Sequence, residues 1–323
     1  MKAASFQQLP QQWPEILRWV AAEKEAQVTR QASRLLVMQM KPLYQNQAST
    51  VMNAKQSDKA LQFQELHQRQ GVFLVPNPWD AGSVRILTGL GFEAFATSSS
   101  ACAAVLGRRD HRITRAEALA HVRAIASATD RPVSADLENG FGDDPATVAE
   151  TIRLVADAGA VGGSIEDAPG DKDKPLYDLN HATDRIAAAV LAARSLPFRF
   201  ILTARAENFI RGKPDLDDTL NRLLSYQKAG ADVLFAPVLP DLAAVRTICS
   251  AVSKPVNFMV GMRGKSFTVA ELAEAGVKRI SFASSLYRAA MTRLVDVASE
   301  VKSSGTFGYL DHTNPDLNRY LQD

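Results

Sequence analysis

Residues 132–166 read PVSADLENGFGDDPATVAETIRLVADAGAVGGSIE, and this stretch contains one complete copy of the pattern that decides the fold. It begins with a short β-prone run at 132–137 and continues into a long helical stretch. The helix closes at Ala158-Gly159-Ala160, because glycine adopts the left-handed conformation that follows a helix at little cost. A second β-prone run follows at 161–166. The stretch therefore predicts two parallel strands joined by a helix.

The same pattern repeats on both sides of this unit, with similar small-residue signals at 90–92, 229–231 and 275–277. Eight candidate strands can be counted along the chain: 71–76, 93–98, 132–137, 161–166, 199–204, 231–236, 255–260 and 279–283. Eight strand–helix units over about 220 residues predict an α/β fold of the (β/α)₈ TIM barrel type. A doubly wound open sheet is the structural alternative, but no GxGxxG motif follows the first strand.

The two ends of the chain lack this repeat. Residues 1–58 are rich in Gln and contain a helical stretch near Trp13–Met40, which predicts an N-terminal helical extension. Three roles are open for it: a helical cap, an oligomer contact, or a poorly ordered extension. Residues 59–303 form the predicted catalytic barrel. Residues 304–323 form a tail, predicted to be a loop with a short final helix.

Composition and charge exclude several classes of protein. The 323 residues include 37 basic and 35 acidic side chains, a balance that favours neither a nucleic-acid nor an anionic membrane partner. Two separate cysteines, Cys102 and Cys249, indicate neither a disulfide framework nor a structural zinc site. No apolar run is long enough to span a membrane, and the N-terminus lacks the apolar core of a signal peptide. We expect a cytoplasmic protein that binds a small molecule.

Acidic residues follow two neighbouring predicted strands. Asp136 and Glu138 end the third strand, and Glu166 ends the fourth, where a TIM barrel places its active site. Strand periodicity puts Asp136 and Glu138 on one face. Clustered carboxylates raise each other's pKa unless a cation neutralises them, and a hard divalent ion suits oxygen ligands. These residues predict a site for Mg²⁺, with Mn²⁺ as a substitute. Helix capping is the alternative, and it explains Asp167 equally well.

Polar residues at other strand ends predict substrate contacts. Arg205 ends the fifth strand, and a guanidinium binds a carboxylate bidentately without losing its charge. An ion pair with Glu166 or Glu207 is its structural alternative. Ser98 and Ser99 follow the second strand, and their hydroxyl and N–H groups could bind a carboxylate. The predicted substrate contacts are Ser98, Ser99, Arg205 and Asn257.

Four motifs in this order resemble the isocitrate lyase and phosphoenolpyruvate mutase superfamily, over roughly residues 58–300. Residues 136–142, DLENGFG, are similar to its D-x-D-x-G-[YF]-G metal motif, with Glu138 in place of the second Asp. The other three are SIED at 164–167, LGRRD at 106–110 and TAR at 203–205.

This resemblance implies roles for individual residues. Asp136, Glu138 and Glu166 would hold magnesium directly or through water. Asp110 would lie beside the metal as a catalytic residue together with Arg205, and Ser98 and Ser99 would bind substrate oxygens. The resemblance also implies a homodimer or homotetramer in which subunits exchange the last barrel helix.

The chain departs from the superfamily's best-known lyases after the fourth strand. Isocitrate and methylisocitrate lyases carry a K-[KR]-C-G-H loop there, whose cysteine is the catalytic acid/base. Residues 168–177 read APGDKDKPLY instead, so those two activities are not expected. The PLYD segment at 175–178 is similar to the mutase and phosphonopyruvate hydrolase branch, but the loop Asn of that branch is missing. Pro237 stands where mutases have His and lyases have Glu.

The expected function is a magnesium-dependent lyase or decarboxylase that cleaves a C–C bond in a small 2-oxo or 2-hydroxy carboxylate through an enolate-like intermediate. A C–P bond enzyme, either phosphoenolpyruvate mutase or phosphonopyruvate hydrolase, is the first alternative. A non-catalytic 2-oxo acid binding protein is the second. His111, Lys172, Lys174 and Tyr177 are candidate proton donors by position, and each is equally explained as a solvated loop residue.

Overall fold

The computed structural model describes residues 55–171, 173–264, 267–314 and 316–321. The helical stretch predicted near Trp13–Met40 lies outside the described residues, and so does Lys172. The chain from Gln56 onward forms one compact unit.

Eight parallel strands form a nearly closed barrel, which confirms the predicted fold class. Their spatial order is β1-β8-β7-β6-β5-β4-β3-β2. The seam between β1 and β2 is joined where the Ala96 N–H donates to the carbonyl of Pro76 at 3.1 Å. The strands are β1 (Phe73–Val75), β2 (Phe95–Ala96), β3 (Val133–Asp136), β4 (Gly162–Glu166), β5 (Ile201–Arg205), β6 (Val233–Phe235), β7 (Val256–Met259) and β8 (Arg279–Ser281).

Helices surround the barrel, and several of them are followed by a glycine in the left-handed conformation, as predicted. Gly91, Gly159, Gly230 and Gly276 have φ of +89°, +99°, +102° and +92°. The helices are α1 (described over 55–68), α2 (Ala81–Gly89), α3 (Ser99–Val105), α4 (Arg115–Ser127), α5 (Pro145–Asp157), α6 (Leu179–Arg194), α7 (Leu216–Lys228), α8 (Leu242–Ala251), α9 (Val269–Glu274) and α10 (Ser285–Ser304), with short 3₁₀ turns at Gly308–His312 and Leu317–Tyr320. Within the described ranges, no helix combines the length and apolar character that a membrane span needs.

Helix α1 closes the amino-terminal end of the barrel. Its Phe63 is fully buried among the inward-pointing side chains of the first residues of the strands. Gly162 permits this approach, since a Cβ there would lie 2.8 Å from the Phe63 ring. Gln56 ties the helix to the wall by donating to the carbonyls of Ala156 and Ala160 at 2.7 and 3.0 Å. The predicted boundary between residues 58 and 59 therefore falls inside α1, and the barrel opens only toward the carboxyl ends of its strands.

Candidate active site

A cavity of about 370 Å³ opens at the carboxyl ends of the strands. Polar and charged side chains from almost every strand end line it, as the fold requires of an active site. Seven of the eight predicted site residues are in its lining: Ser98, Ser99, Asp110, Asp136, Glu166, Arg205 and Asn257. The eighth, Glu138, is reached through its contact with His111.

Arg205 is the most heavily paired side chain of the cavity. Its Nη1 lies 3.0 Å from Asp136 Oδ1, and its Nη2 lies 3.3 Å from Glu166 Oε2 and 2.8 Å from Glu207 Oε1. Its guanidinium also lies 5.1 Å from the centre of the Phe235 ring. Burial lowers the pKa of Arg205, but the three carboxylates outweigh burial and raise it above the usual value. The ion pairs expected with Glu166 and Glu207 are both present.

Asp136 is held by the start of α3 as well as by Arg205. The N–H and the hydroxyl of Ser99 each donate to Asp136 Oδ2 at 3.0 Å. The Ser98 hydroxyl accepts from the N–H of Ala101, so its oxygen caps α3. Both serines are buried, and only Ser99 is bonded to a predicted metal-site residue.

A second acidic group is formed by Asp110, His111 and Glu138. Ligand atoms of these three residues lie within 4.8 Å of one another, close enough to hold a metal ion together, with Asp110 and His111 exposed and Glu138 buried. His111 Nδ1 lies 3.7 Å from Glu138 Oε2, and this contact raises the pKa of His111 to about 9. His111 and Glu138 have φ of +58° and +49°, a left-handed conformation that side chains rarely adopt and that often marks functional sites.

The donors fit a hard divalent cation. Glu138 Oε1 is buried and has no hydrogen-bond partner, so this carboxylate oxygen has an unused acceptor position that a cation could fill. Carboxylates are the ligands that Mg²⁺ and Mn²⁺ prefer. The structure thus brings Glu138 to Asp110 and His111, whereas it places Asp136 and Glu166 against Arg205.

A family model described as phosphoenolpyruvate phosphomutase matches residues 63–302, which is most of the described barrel. The chain belongs to this family. The match confirms the resemblance predicted from the four motifs, and it makes the chain an enzyme of a family that contains both lyases and mutases.

Three known proteins illustrate the range of this family. The 2-methylisocitrate lyase of Escherichia coli (strain K12) is 31% identical over 227 residues, 67% of this chain and 75% of that enzyme. A crystal structure from Burkholderia cenocepacia J2315, provisionally described as a lyase/mutase, is 50% identical, covers 83% of this chain and 96% of its own, and gives a TM-score of 0.81. The crystal structure of the phosphoenolpyruvate phosphomutase of Streptomyces platensis subsp. rosaceus is 26% identical in sequence. It covers 80% of this chain and 95% of its own, with a TM-score of 0.72.

Arg211 is a charged residue of this family member's cavity that was not anticipated from the sequence. Arg211 donates to Glu166 Oε1 at 2.8 Å and lies 3.3 Å from His111 Nε2. Burial, followed by the charge of Glu207, raises the pKa of Glu166 to about 8. The signal for Arg211 was its place in the loop after β5, where a TIM barrel carries functional residues.

Arg185 supports the loops that carry two predicted metal-site residues. It is fully buried and donates to the carbonyl of Glu166 at 3.3 Å and to the carbonyl of Gly142 at 2.9 Å. It also donates to the carbonyls of Asn139 and Asp143 in the loop after β3. One guanidinium therefore joins the loop that contains Glu138 to the end of β4.

Asp167 stabilises the fold through three hydrogen bonds and does not line the cavity. It accepts hydrogen bonds from the Tyr226 hydroxyl at 2.6 Å, from Arg222 Nη1 at 3.0 Å and from the N–H of Glu207 at 2.8 Å. These bonds join the loops after β4 and β5. Asp167 is therefore neither a lining residue of the cavity nor the cap of α6, which is Asp178.

The candidate proton donors differ in whether they line the cavity. His111 lines the cavity. Tyr177 is buried in the core outside the cavity lining, where its hydroxyl donates to Asp143 and accepts from Asn139 Nδ2 at 3.0 Å. Lys174 is exposed, and Lys172 lies outside the described residues. Among the candidates that the structure describes, only His111 faces the place where a substrate would sit.

Proposed function

We propose that this enzyme cleaves a C–C bond in a small 2-oxo or 2-hydroxy carboxylate with the help of a divalent cation, Mg²⁺ or its substitute Mn²⁺. One observation carries the proposal. A fixed guanidinium, Arg205, lines the same small cavity as Asp110, whose carboxylate lies next to that of Glu138 in a group suited to a cation.

The residues of the cavity have separate tasks in this reaction. Arg205 binds the substrate carboxylate, because a guanidinium held by three acids keeps its charge and orientation. Asp110 and Glu138 would hold the cation, with Asp136 and Glu166 beside them. A divalent cation there would supply Lewis-acid stabilisation of an enolate oxygen. His111 lines the cavity beside these carboxylates and is positioned to return a proton to the carbanion carbon.

The absence of a cysteine from residues 168–177 supports a reaction other than that of the isocitrate and methylisocitrate lyases. Both cysteines lie elsewhere, Cys102 in α3 and Cys249 in α8. Burial raises the pKa of each to about 11, so both thiols are protonated at neutral pH. The two thiols are free, which supports a cytoplasmic location.

Cleavage of a C–P bond is the second candidate. The likeness to the phosphoenolpyruvate phosphomutase of Streptomyces platensis subsp. rosaceus, at 26% identity over 80% of this chain, favours it. The PLYD segment shared with that branch contributes packing here, since Tyr177 is buried in the wall and Asp178 caps α6.

We also propose a homodimer or homotetramer in which α10 is exchanged between subunits. Helix α10 has 20 residues, and none of them is buried in a single chain. Leu294 and Val295 are 56% and 62% exposed, and Phe307, just after the helix, is 58% exposed. Apolar side chains this exposed on one helix indicate a protein partner.

Turnover across a small panel tests the function. Oxaloacetate, 2-methylisocitrate, dimethylmalate, phosphonopyruvate and phosphoenolpyruvate are each incubated with Mg²⁺, and proton and phosphorus NMR follow every product. Cleavage of a C–C substrate that stops with EDTA and returns with Mg²⁺ or Mn²⁺ is the expected result. If phosphonopyruvate is the only compound of the panel that is converted, the enzyme cleaves a C–P bond and the second candidate is correct. Silence across the panel, with binding of a 2-oxo acid retained, would favour the non-catalytic binding protein.

A further inference from the structure

The interior of this barrel is polar at the depth where TIM barrels are normally filled by Val, Ile and Leu. Below the acidic residues of the mouth, the cavity is lined by five residues that we call the polar floor: Ser134, Ser164, Asn257, Arg279 and Ser281. They come from β3, β4, β7 and β8.

Arg279 is the only charged member of the polar floor, and it is 4% exposed. Its Nε donates to Asn257 Oδ1 at 2.8 Å and its Nη2 donates to Thr203 Oγ1 at 3.0 Å. Its Nη1 is buried without a hydrogen-bond partner. Both partners are neutral, and Arg279 forms no salt bridge with the described residues.

A guanidinium in this position lacks a counter-charge. Burial of a cation is costly unless an anion accompanies it. Burial lowers the pKa of Arg279 to about 9, which still leaves the side chain charged at neutral pH. A trapped water could satisfy the hydrogen bond of Nη1, but it could not neutralise the charge.

Among the described residues, none brings an anion to Arg279 from below, where α1 covers the end of the barrel. Phe73 pairs with Arg279 in the sheet, and the His67 ring packs edge-on against Phe73 with ring centres 4.9 Å apart. Burial, reinforced by Arg279, lowers the pKa of His67 to about 3, so His67 is neutral. The counter-anion must therefore enter through the cavity.

We propose that Arg279, assisted by Asn257 and Ser281, binds a second acidic group of the substrate at the polar floor. This inference rests on the proposed function, and it assigns the second acidic group of such a substrate to named residues of the barrel interior. Arg205, Phe235, Asn257 and Arg279 are successive neighbours across four adjacent strands. One acidic group binds near Arg205 at the mouth, and the other binds Arg279 below. A carboxylate and a phosphonate share the required chemistry.

Equilibrium binding measurements test this anion site without requiring the enzyme to turn over a substrate. Calorimetry with Mg²⁺ compares a dicarboxylate probe, malonate, and a phosphonate probe, phosphonoacetate, with the monocarboxylate pyruvate, in the wild type and in Arg279→Met. We expect the variant to bind at least one dianion about 30-fold or more weakly, and pyruvate within about threefold of the wild type. The dianion that loses more affinity identifies the acidic group. The control is Arg153→Met, on the exposed face of α5, which should change none of these affinities.

A second variant gives Arg279 a negative counter-charge from the protein itself. Asn257→Asp places a carboxylate beside Arg279 Nε, where Asn257 Oδ1 now lies 2.8 Å away. It should raise the melting temperature without ligand and weaken dianion binding. Equal losses for pyruvate and the dianions, or no loss in either variant, would overturn the proposal. If the substrate panel is silent while the dianion preference depends on Arg279, the floor site stands and the proposed function fails.

Discussion

Arg205 Nη1 lies 3.0 Å from Asp136 Oδ1, although β3 and β5 are separated by β4. The gap is bridged because Glu166, at the end of β4, binds the same guanidinium. Three consecutive strand ends are thereby joined around one side chain. This arrangement holds the guanidinium in place before a substrate arrives, which reduces the ordering cost of binding.

Asp136→Asn should abolish cation-dependent turnover and leave the fold intact. The amide keeps the shape that contacts Ser99, but it removes the charge that faces Arg205 and the cation group. A loss of about 100-fold or more in kcat/KM is expected. Turnover with Mg²⁺ and a thermal melt are the measurements, and Asp130→Asn, 82% exposed, is the control. Unchanged activity would remove Asp136 from the site.

Arg185→Met should destabilise the protein and weaken cation binding together. Four loop carbonyls lose their donor, including those of Asn139 and Glu166, and unpaired buried carbonyls cost about 1–3 kcal/mol each when water cannot replace the donor. We expect the free energy of unfolding to fall by about 3 kcal/mol in urea denaturation.

The matched control lies on the same helix. Arg194→Met removes an arginine that is 30% exposed and pairs with Asp232, and it should cost about 1 kcal/mol or less. Loss of stability without loss of cation affinity would show that Arg185 supports packing alone.

The eight strands were predictable because alternation, turn glycines and strand length are local properties of the chain. Gly159 and Gly230 show this directly, since each has the positive φ that its place after a helix predicts. Residues at strand ends were predictable for the same reason, once the barrel was counted. Arg205 and Asp136 needed no knowledge of which strands are neighbours.

Glu138 shows where local reasoning stopped. Strand β3 ends at Asp136, and Glu138 turns into a left-handed conformation with φ of +49°, so strand periodicity does not determine its direction. Arg185, Arg211 and Arg279 were missed because the contacts that place them in the site, such as that of Arg211 with Glu166, are made with other segments of the chain. An arginine in a helix or a strand has no sequence pattern that reveals a buried carbonyl or an absent counter-charge.

Removal of residues 1–51 should leave a folded barrel, as we propose that the catalytic domain needs only the chain from α1 onward. The thermal midpoint should move by no more than about 2 °C. Removal of residues 1–66 is the contrasting deletion, because it takes away the buried side chains Phe63 and Leu66. Each contributes about 2 kcal/mol by burial, so this form should fail to fold. Insoluble protein from the shorter deletion would show that the barrel requires the extension.

The pH dependence of stability should report the buried acid Glu166. Its pKa is raised from 4.5 to about 8, by burial first and by the charge of Glu207 second. A folded-state pKa above the unfolded value means that the folded protein favours the protonated acid. The stabilisation is fully present below the unfolded pKa of 4.5 and is lost as the pH rises toward 8. Without a divalent cation, the free energy of unfolding should therefore fall between those values.

Urea unfolding at pH 5, 6, 7 and 8, in EDTA and in Mg²⁺, measures this fall. Mg²⁺ should reduce the fall, because a bound cation favours the charged carboxylate. Burial also raises the pKa of Glu207, and contact with Glu138 raises the pKa of His111 to about 9, so both groups lower the free energy of unfolding in the same direction. The difference between the wild type and Glu166→Gln therefore reports Glu166 together with its effect on these two neighbours. The variant should show a flatter profile below pH 8 and a smaller response to Mg²⁺. Parallel profiles for the two proteins would mean that Glu166 is ionised throughout this range and that its arginine partners, Arg205 and Arg211, already neutralise it.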